Sequence, residues 1–122
     1  MALSVATQYE SARAGGDWQT AWGLLSDFSR ASIGSLAAYK SLESAYNRDG
    51  GANFKLQEPT QNPDLLGSAF LGQPYIDAQA HADITRAWLV FTDHPDIRGA
   101  SAGSVGLLVA PIEDRWYVWI AH

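Results

Sequence analysis

Asp83 is the carboxylate best placed by pattern to do chemistry in this chain. It lies in the stretch His81–Phe91, which reads with a period of two. His81, Asp83, Thr85, Ala87, Leu89 and Phe91 share one face; Ala82, Ile84, Arg86, Trp88 and Val90 share the other. If the first face lines an apolar pocket, Asp83 is poised there as a general base, with His81 beside it as a second proton carrier. The plainer reading makes this the solvent face and buries Ile84, Trp88 and Val90, because polar alternation on an antiparallel strand usually marks exposure. Asp83 with Arg86 is the best carboxylate–guanidinium pair. Asp77 does not share their strand parity, so no Asp–Arg–Asp set is assembled.

A lone histidine such as His81 is more often a surface or hydrogen-bonded residue than a base. His94 adjoins Pro95 in a turn, and His122 is terminal. The three histidines show no HxH or HExxH spacing, so no metal site is expected. The chain has no cysteine, which excludes disulfides, thiolate catalysis and cysteine-based zinc sites. The small-residue run Gly99–Gly106 is followed by no Lys or Arg and leads into a strand, so it reads as a hairpin arm and not a phosphate loop. No GxSxG elbow occurs. No cofactor is expected.

The aromatic residues are the stronger signal. Trp18, Trp22, Trp88, Trp116 and Trp119, with Tyr39, Tyr46, Tyr75 and Tyr117, exceed what a core of this size needs. One reading packs them in the core, Trp22, Trp88 and Trp116 above all. The other lines an apolar pocket with Trp18, Trp22, Tyr39, Tyr46, Trp88 and Trp116, whose indole N–H and phenol O–H groups serve as polar handles. Trp18 and Trp119 equally suit a protein interface.

These side chains need elements to position them. Ala2–Ala14 reads as a first helix ended by Gly15-Gly16. Asp17 caps a second over Asp17–Phe28, with Trp18, Ala21, Trp22, Leu25 and Phe28 on one stripe. A third runs from Ser32 to Tyr46 and stops at Asp49-Gly50-Gly51. Ala52–Pro74 reads as a long connection with a short strand at Phe54–Gln57 and a helical turn over Asp64–Phe70. Strands follow: one ending near Thr92, then Ser104–Pro111 and Arg115–Ala121, the last two joined at Glu113-Asp114 as an antiparallel hairpin. Helices first and strands afterwards give an α+β domain.

The 122 residues make one domain, 1–122, with 47% apolar and 17% charged residues, enough to fold around a core. The net charge is −5, and the eight basic residues form no run, which argues against nucleic acid and against an anionic membrane surface. No stretch approaches a membrane span. The first residues carry no basic and apolar regions of a secretory signal, so an exported form would begin its mature chain here.

One resemblance joins these features. Ala12-Arg13, Gly16-Asp17-Trp18, Ala21-Trp22, Leu24-Leu25-Ser26 and Ser29-Arg30, with Gly106-Leu107-Leu108-Val109 and Asp114-Arg115-Trp116-Tyr117-Val118-Trp119, resemble the NTF2-like superfamily. This is the cone-shaped, cystatin-like α+β fold shared with ketosteroid isomerase and SnoaL-like cyclases. The pattern is similar to bacterial extracytoplasmic NTF2-like domains. The resemblance implies N-terminal helices packed on a curved antiparallel sheet, enclosing a pocket or an interface, and sheet faces that pair two copies as a homodimer. It does not fix an activity. The expected function is a non-catalytic binding or interaction module holding an apolar small molecule or a partner protein domain. The alternative is a ketosteroid isomerase- or SnoaL-like isomerase, cyclase or hydrolase using Asp83, helped by His81 or a tyrosine.

Overall fold

The computed structural model describes residues 1–97 and 104–120. The loop read over 99–103, Ala121 and His122 lie outside the described residues. Helix α1 (Ala2–Gly15) ends where Gly16 takes a left-handed conformation, φ 79°, which only glycine adopts without strain. The N–H of Asp17 then returns to the Ala12 carbonyl at 2.8 Å. Helix α2 (Trp18–Leu24) starts as expected, with the Asp17 carboxylate accepting the Thr20 N–H at 3.3 Å.

The expected run to Phe28 is interrupted. Leu25 is extended and fully buried, and Leu25 forms an isolated parallel bridge with Val118. The Ser26 N–H donates to the Val118 carbonyl at 3.0 Å. Ser26 then caps α3 (Asp27–Ile33), its Oγ accepting the Ser29 N–H at 3.1 Å. A serine able to restart the helix, and a strand edge offering a carbonyl, together outweigh one continuous helix. Gly34 and Ser35 similarly move the start of α4 (Leu36–Tyr46) beyond Ser32, with Ser35 Oγ accepting the Ala38 N–H. A π-type turn, Asn47–Gly51, follows.

Strand β1 is only Lys55–Leu56. Helix α5 (Ser68–Leu71) is the expected helical turn, shifted toward its C-terminal end. Helix α6 (Gln73–His81) is an element the sequence reading did not include, and it takes His81 out of the alternating stretch read over His81–Phe91. Pro74 fits the first turn of a helix, and Ala78, Gln79 and Ala80 favour its continuation. The alternation from His81 onward does not make a strand until Trp88: Ile84–Arg86 is a 3₁₀ turn capped by Asp83. Strands β2 (Trp88–Asp93), β3 (Ser104–Ile112) and β4 (Arg115–Trp119) then form antiparallel pairs in the order β1-β2-β3-β4.

The fold is α+β, its sheet a curled half-barrel. Val90 faces Leu107, and Val109 faces Val118, on the concave side. There they pack with Val5, Ala6 and Tyr9 of α1, Ala21 of α2, Leu25 and Tyr39 of α4. On the convex side Leu108, Ala110 and Trp119 pack with Ala78 of α6, and Phe28 of α3 lies against them. Burial of both faces explains why β3 reads as a continuous apolar run, Leu107 to Ala110, with no alternation. Trp88 and Val90 belong to the concave core, while Leu89 on the opposite side is also fully buried.

Candidate functional site

Charged residues lie on the buried side of two helices. On α1, Tyr9, Glu10 and Arg13 follow Ala6 on the face turned to the sheet. On α4, Tyr39, Glu43 and Tyr46 recur at helical spacing, i, i+4 and i+7. Tyr9, Glu10, Arg13, Glu43 and Tyr46 join His94, which follows β2, Val105 and Leu107 of β3, and Ile120, which follows β4, around a cavity of about 150 Å³. Its polar residues are withdrawn from bulk water: Glu10 is 3% exposed, Arg13 2% and His94 2%.

Arg13 is the hub. Its Nε donates to Glu10 Oε1 and its Nη2 to Glu10 Oε2, both at 3.2 Å. Nη2 also donates to the Gly51 carbonyl at 2.6 Å, and Nη1 to Asn47 Oδ1 at 2.7 Å. Asn47 returns a bond from Nδ2 to the Arg13 carbonyl, so the turn after α4 is tied to α1 from both sides. Glu43 Oε2 stands 3.9 Å from Nη1. Burial works against the Arg13 charge, yet the Glu10 carboxylate, through charge and hydrogen bonds, and then Glu43 hold its pKa above the usual value.

Above this hub lies a phenol pair. Tyr39 Oη donates to Tyr9 Oη at 2.7 Å. Burial, then the neighbouring Tyr39 and Glu43, raise the Tyr9 pKa well above its ordinary value. Burial also raises those of Tyr39 and Tyr46. A phenol whose folded pKa is raised adds stability that is intact below its unfolded pKa of about 10 and is lost as pH rises through the folded value. Stability is therefore expected to be insensitive to Tyr9 and Tyr39 below about pH 10. Above it, each should cost about 1.4 kcal/mol per pH unit. Phenolate absorbance followed alongside circular dichroism checks this: these tyrosines should ionise together with unfolding, and their free titration in a folded chain would contradict it.

Gly51 makes room for Tyr46. A Cβ at position 51 would lie 2.2 Å from Tyr46 Cδ2, so the ring and the carbonyl that holds Arg13 share a space that only glycine leaves open. The Tyr46 hydroxyl is buried with no hydrogen-bond partner among the described residues. His94 meets the edge of the Tyr46 ring, 5.2 Å between centroids.

The sequence-read candidates divide between this place and others. Tyr46 lines the cavity, and Tyr39 stands behind Tyr9. Trp18 and Trp22 are half-buried and meet the Tyr39 ring, at 6.4 and 5.5 Å between centroids, and neither lines the cavity. Trp88 and Trp116 are half-buried on the concave core, with Arg86 over the Trp116 ring. Asp83 is exposed, and its Oδ1 accepts both the Thr85 N–H and the Thr85 hydroxyl, at 3.2 and 2.6 Å. His81, also exposed, stacks on Phe28 at 4.0 Å. Neither Asp83 nor His81 lines the 150 Å³ cavity.

None of Glu10, Arg13, Glu43 and His94 was read from the sequence as a site residue. A signal existed for the first three, since Glu10 and Arg13 adjoin the α1 stripe and Glu43 lies between two tyrosines on one helical face. His94 had none, because only the fold brings a turn after β2 against α1. Among the described residues, no three His, Asp or Glu side chains converge as metal ligands. A second, wider hollow, lined by Phe70, Leu71, Gln73, Pro74, Val105, Gly106, Trp119 and Ile120, contains no charged side chain. No helix among the described residues is long and apolar enough to cross a membrane. No protein-family model, curated protein or solved structure matches the chain.

Proposed function

We propose that the chain is an NTF2-like domain acting as a non-catalytic module that holds a small, largely apolar molecule. The 150 Å³ cavity between α1, α4 and the concave sheet carries this reading. Its volume is about that of a hollow that accepts benzene. Val105, Leu107 and Ile120 give it an apolar wall, and Tyr9, Glu10, Arg13 and His94 a polar floor. A few convergent polar groups in an apolar concavity is the usual composition of a ligand site.

Ligand-observed NMR with fragments of up to about eight heavy atoms tests it. Hits are expected with the native chain and should vanish in Leu107→Trp, which fills the hollow. Absence of hits, or hits that persist in the filled variant, would refute the reading.

A second reading is enzymatic, of the ketosteroid isomerase- or SnoaL-like kind. What favours it is the pairing of the Glu10 carboxylate with His94 inside the cavity, the two groups 3.7 Å apart. Acid–base chemistry needs such a pair within reach of a bound molecule. Turnover that depends on Glu10 would point to this cavity, whereas turnover that depends on Asp83 would point to the surface turn before β2.

A further inference from the structure

We infer that the Tyr46 hydroxyl is the group by which the cavity recognises its ligand, a molecule of up to about eight heavy atoms whose ether or carbonyl oxygen accepts that O–H. This rests on the reading of the cavity as a ligand site. The tip of a tyrosine ordinarily reaches water or a partner, even where its ring packs against apolar groups. The Tyr46 tip does neither. The residue as a whole is half-buried, yet its oxygen is withdrawn from solvent and has no hydrogen-bond partner among the described residues. Tyr9 and Tyr39 give the contrast: both are fully buried, and their hydroxyls bond to each other at 2.7 Å.

The Tyr46 ring is held in this attitude. A Cβ at position 51 would lie 2.2 Å from Cδ2, the Arg13 guanidinium carbon stands 5.2 Å from the ring centroid, and His94 meets the ring edge. These contacts leave the ring little room to swing its oxygen out to water. Burial raises the Tyr46 pKa, and the charges that act on the hydroxyl belong to Arg13, Glu10 and Glu43, each a lining residue of the cavity. The phenol is protonated at neutral pH, so what it lacks is an acceptor. A buried O–H left unmade costs free energy, and phenylalanine would fill the same space without that cost. The apolar wall of Val105, Leu107 and Ile120 brings no side-chain acceptor. An oxygen carried in by a largely apolar molecule supplies one, while the hydrocarbon part lies on that wall. The gain on binding is the whole hydrogen bond, because the hydroxyl gives up no partner to make it.

Ligand-observed NMR on the full chain compares tetrahydrofuran with cyclopentane, rings that differ in one atom. Tyr46→Phe is expected to weaken tetrahydrofuran about tenfold and to leave cyclopentane unchanged. Without ligand, this variant should unfold at the same urea concentration as the native chain or a higher one, because the hydroxyl it lacks had no bond to lose. Thr92→Val removes the other buried hydroxyl without a partner among the described residues, one that does not line the cavity, and should leave both affinities in place. Equal losses for the two rings in Tyr46→Phe, no loss for tetrahydrofuran, or the same loss in Thr92→Val overturns the assignment to Tyr46 while leaving the cavity a ligand site. So does a Tyr46→Phe chain that unfolds earlier or fails to fold, since its hydroxyl would then be bonded in the free molecule. Failure of both rings to bind the native chain overturns the ligand site itself.

Discussion

Replacing Arg13 by methionine is expected to destabilise the fold by about 3–5 kcal/mol, the cost typical of leaving one member of a buried ion pair without its partner. The side chain is almost fully buried and makes four hydrogen bonds, two to Glu10 and one each to Asn47 and Gly51. Methionine matches much of the volume, so packing is largely kept and the loss isolates the polar network. Urea denaturation of the folded chain measures it. Adding Glu10→Gln should recover part of the loss, because the orphaned carboxylate is then neutral. A loss under about 1 kcal/mol would show that water reaches Glu10 and that the floor of the cavity is solvated.

Trp119→Ala is expected to cost a similar amount, about 3–5 kcal/mol, by a different route. Trp119 is 1% exposed, stacks on Phe28 at 5.7 Å and donates from Nε1 to the Ala110 carbonyl at 3.1 Å. Truncation leaves a void between β4, α3 and α6 and strips Ala110 of a partner. Trp119→Phe should retain most of the stability and lose about 1 kcal/mol for the hydrogen bond. If Trp119→Ala lost no more than Trp119→Phe, the convex core would be able to collapse around the gap. These two substitutions separate the layers, Arg13 reporting on the concave side and Trp119 on the convex side.

The α+β layout, the Asp17 cap and the β3–β4 hairpin were legible because each is written locally, in a cap residue, an apolar run or a two-residue turn. The break at Leu25–Ser26 was not, because it depends on β4, more than ninety positions away in sequence. Helix α6 was obscured by Pro74 and by an accidental alternation running on into β2. The cavity was legible only in part. Tyr46 and Tyr39 were read as ligand-facing aromatics, but the charged residues among them look like ordinary helical surface until tertiary packing turns that face inward. Asp83 attracted notice for its alternation with apolar neighbours, and in the fold that same carboxylate caps a short turn.

The interruption at Leu25–Ser26 also bears on how this molecule avoids its own kind. A half-barrel has two borders, and an unguarded border recruits strands from other chains. Here the Ser26 amide occupies the β4 border through the Val118 carbonyl. The opposite border is guarded by brevity: β1 has two residues, one of them Lys55, and Pro59 soon follows. Mutating Ser26 to proline would remove that amide and bare the last strand. The expected symptom is fibrillar or amorphous self-association that grows with concentration, appearing before any loss of the helical signal.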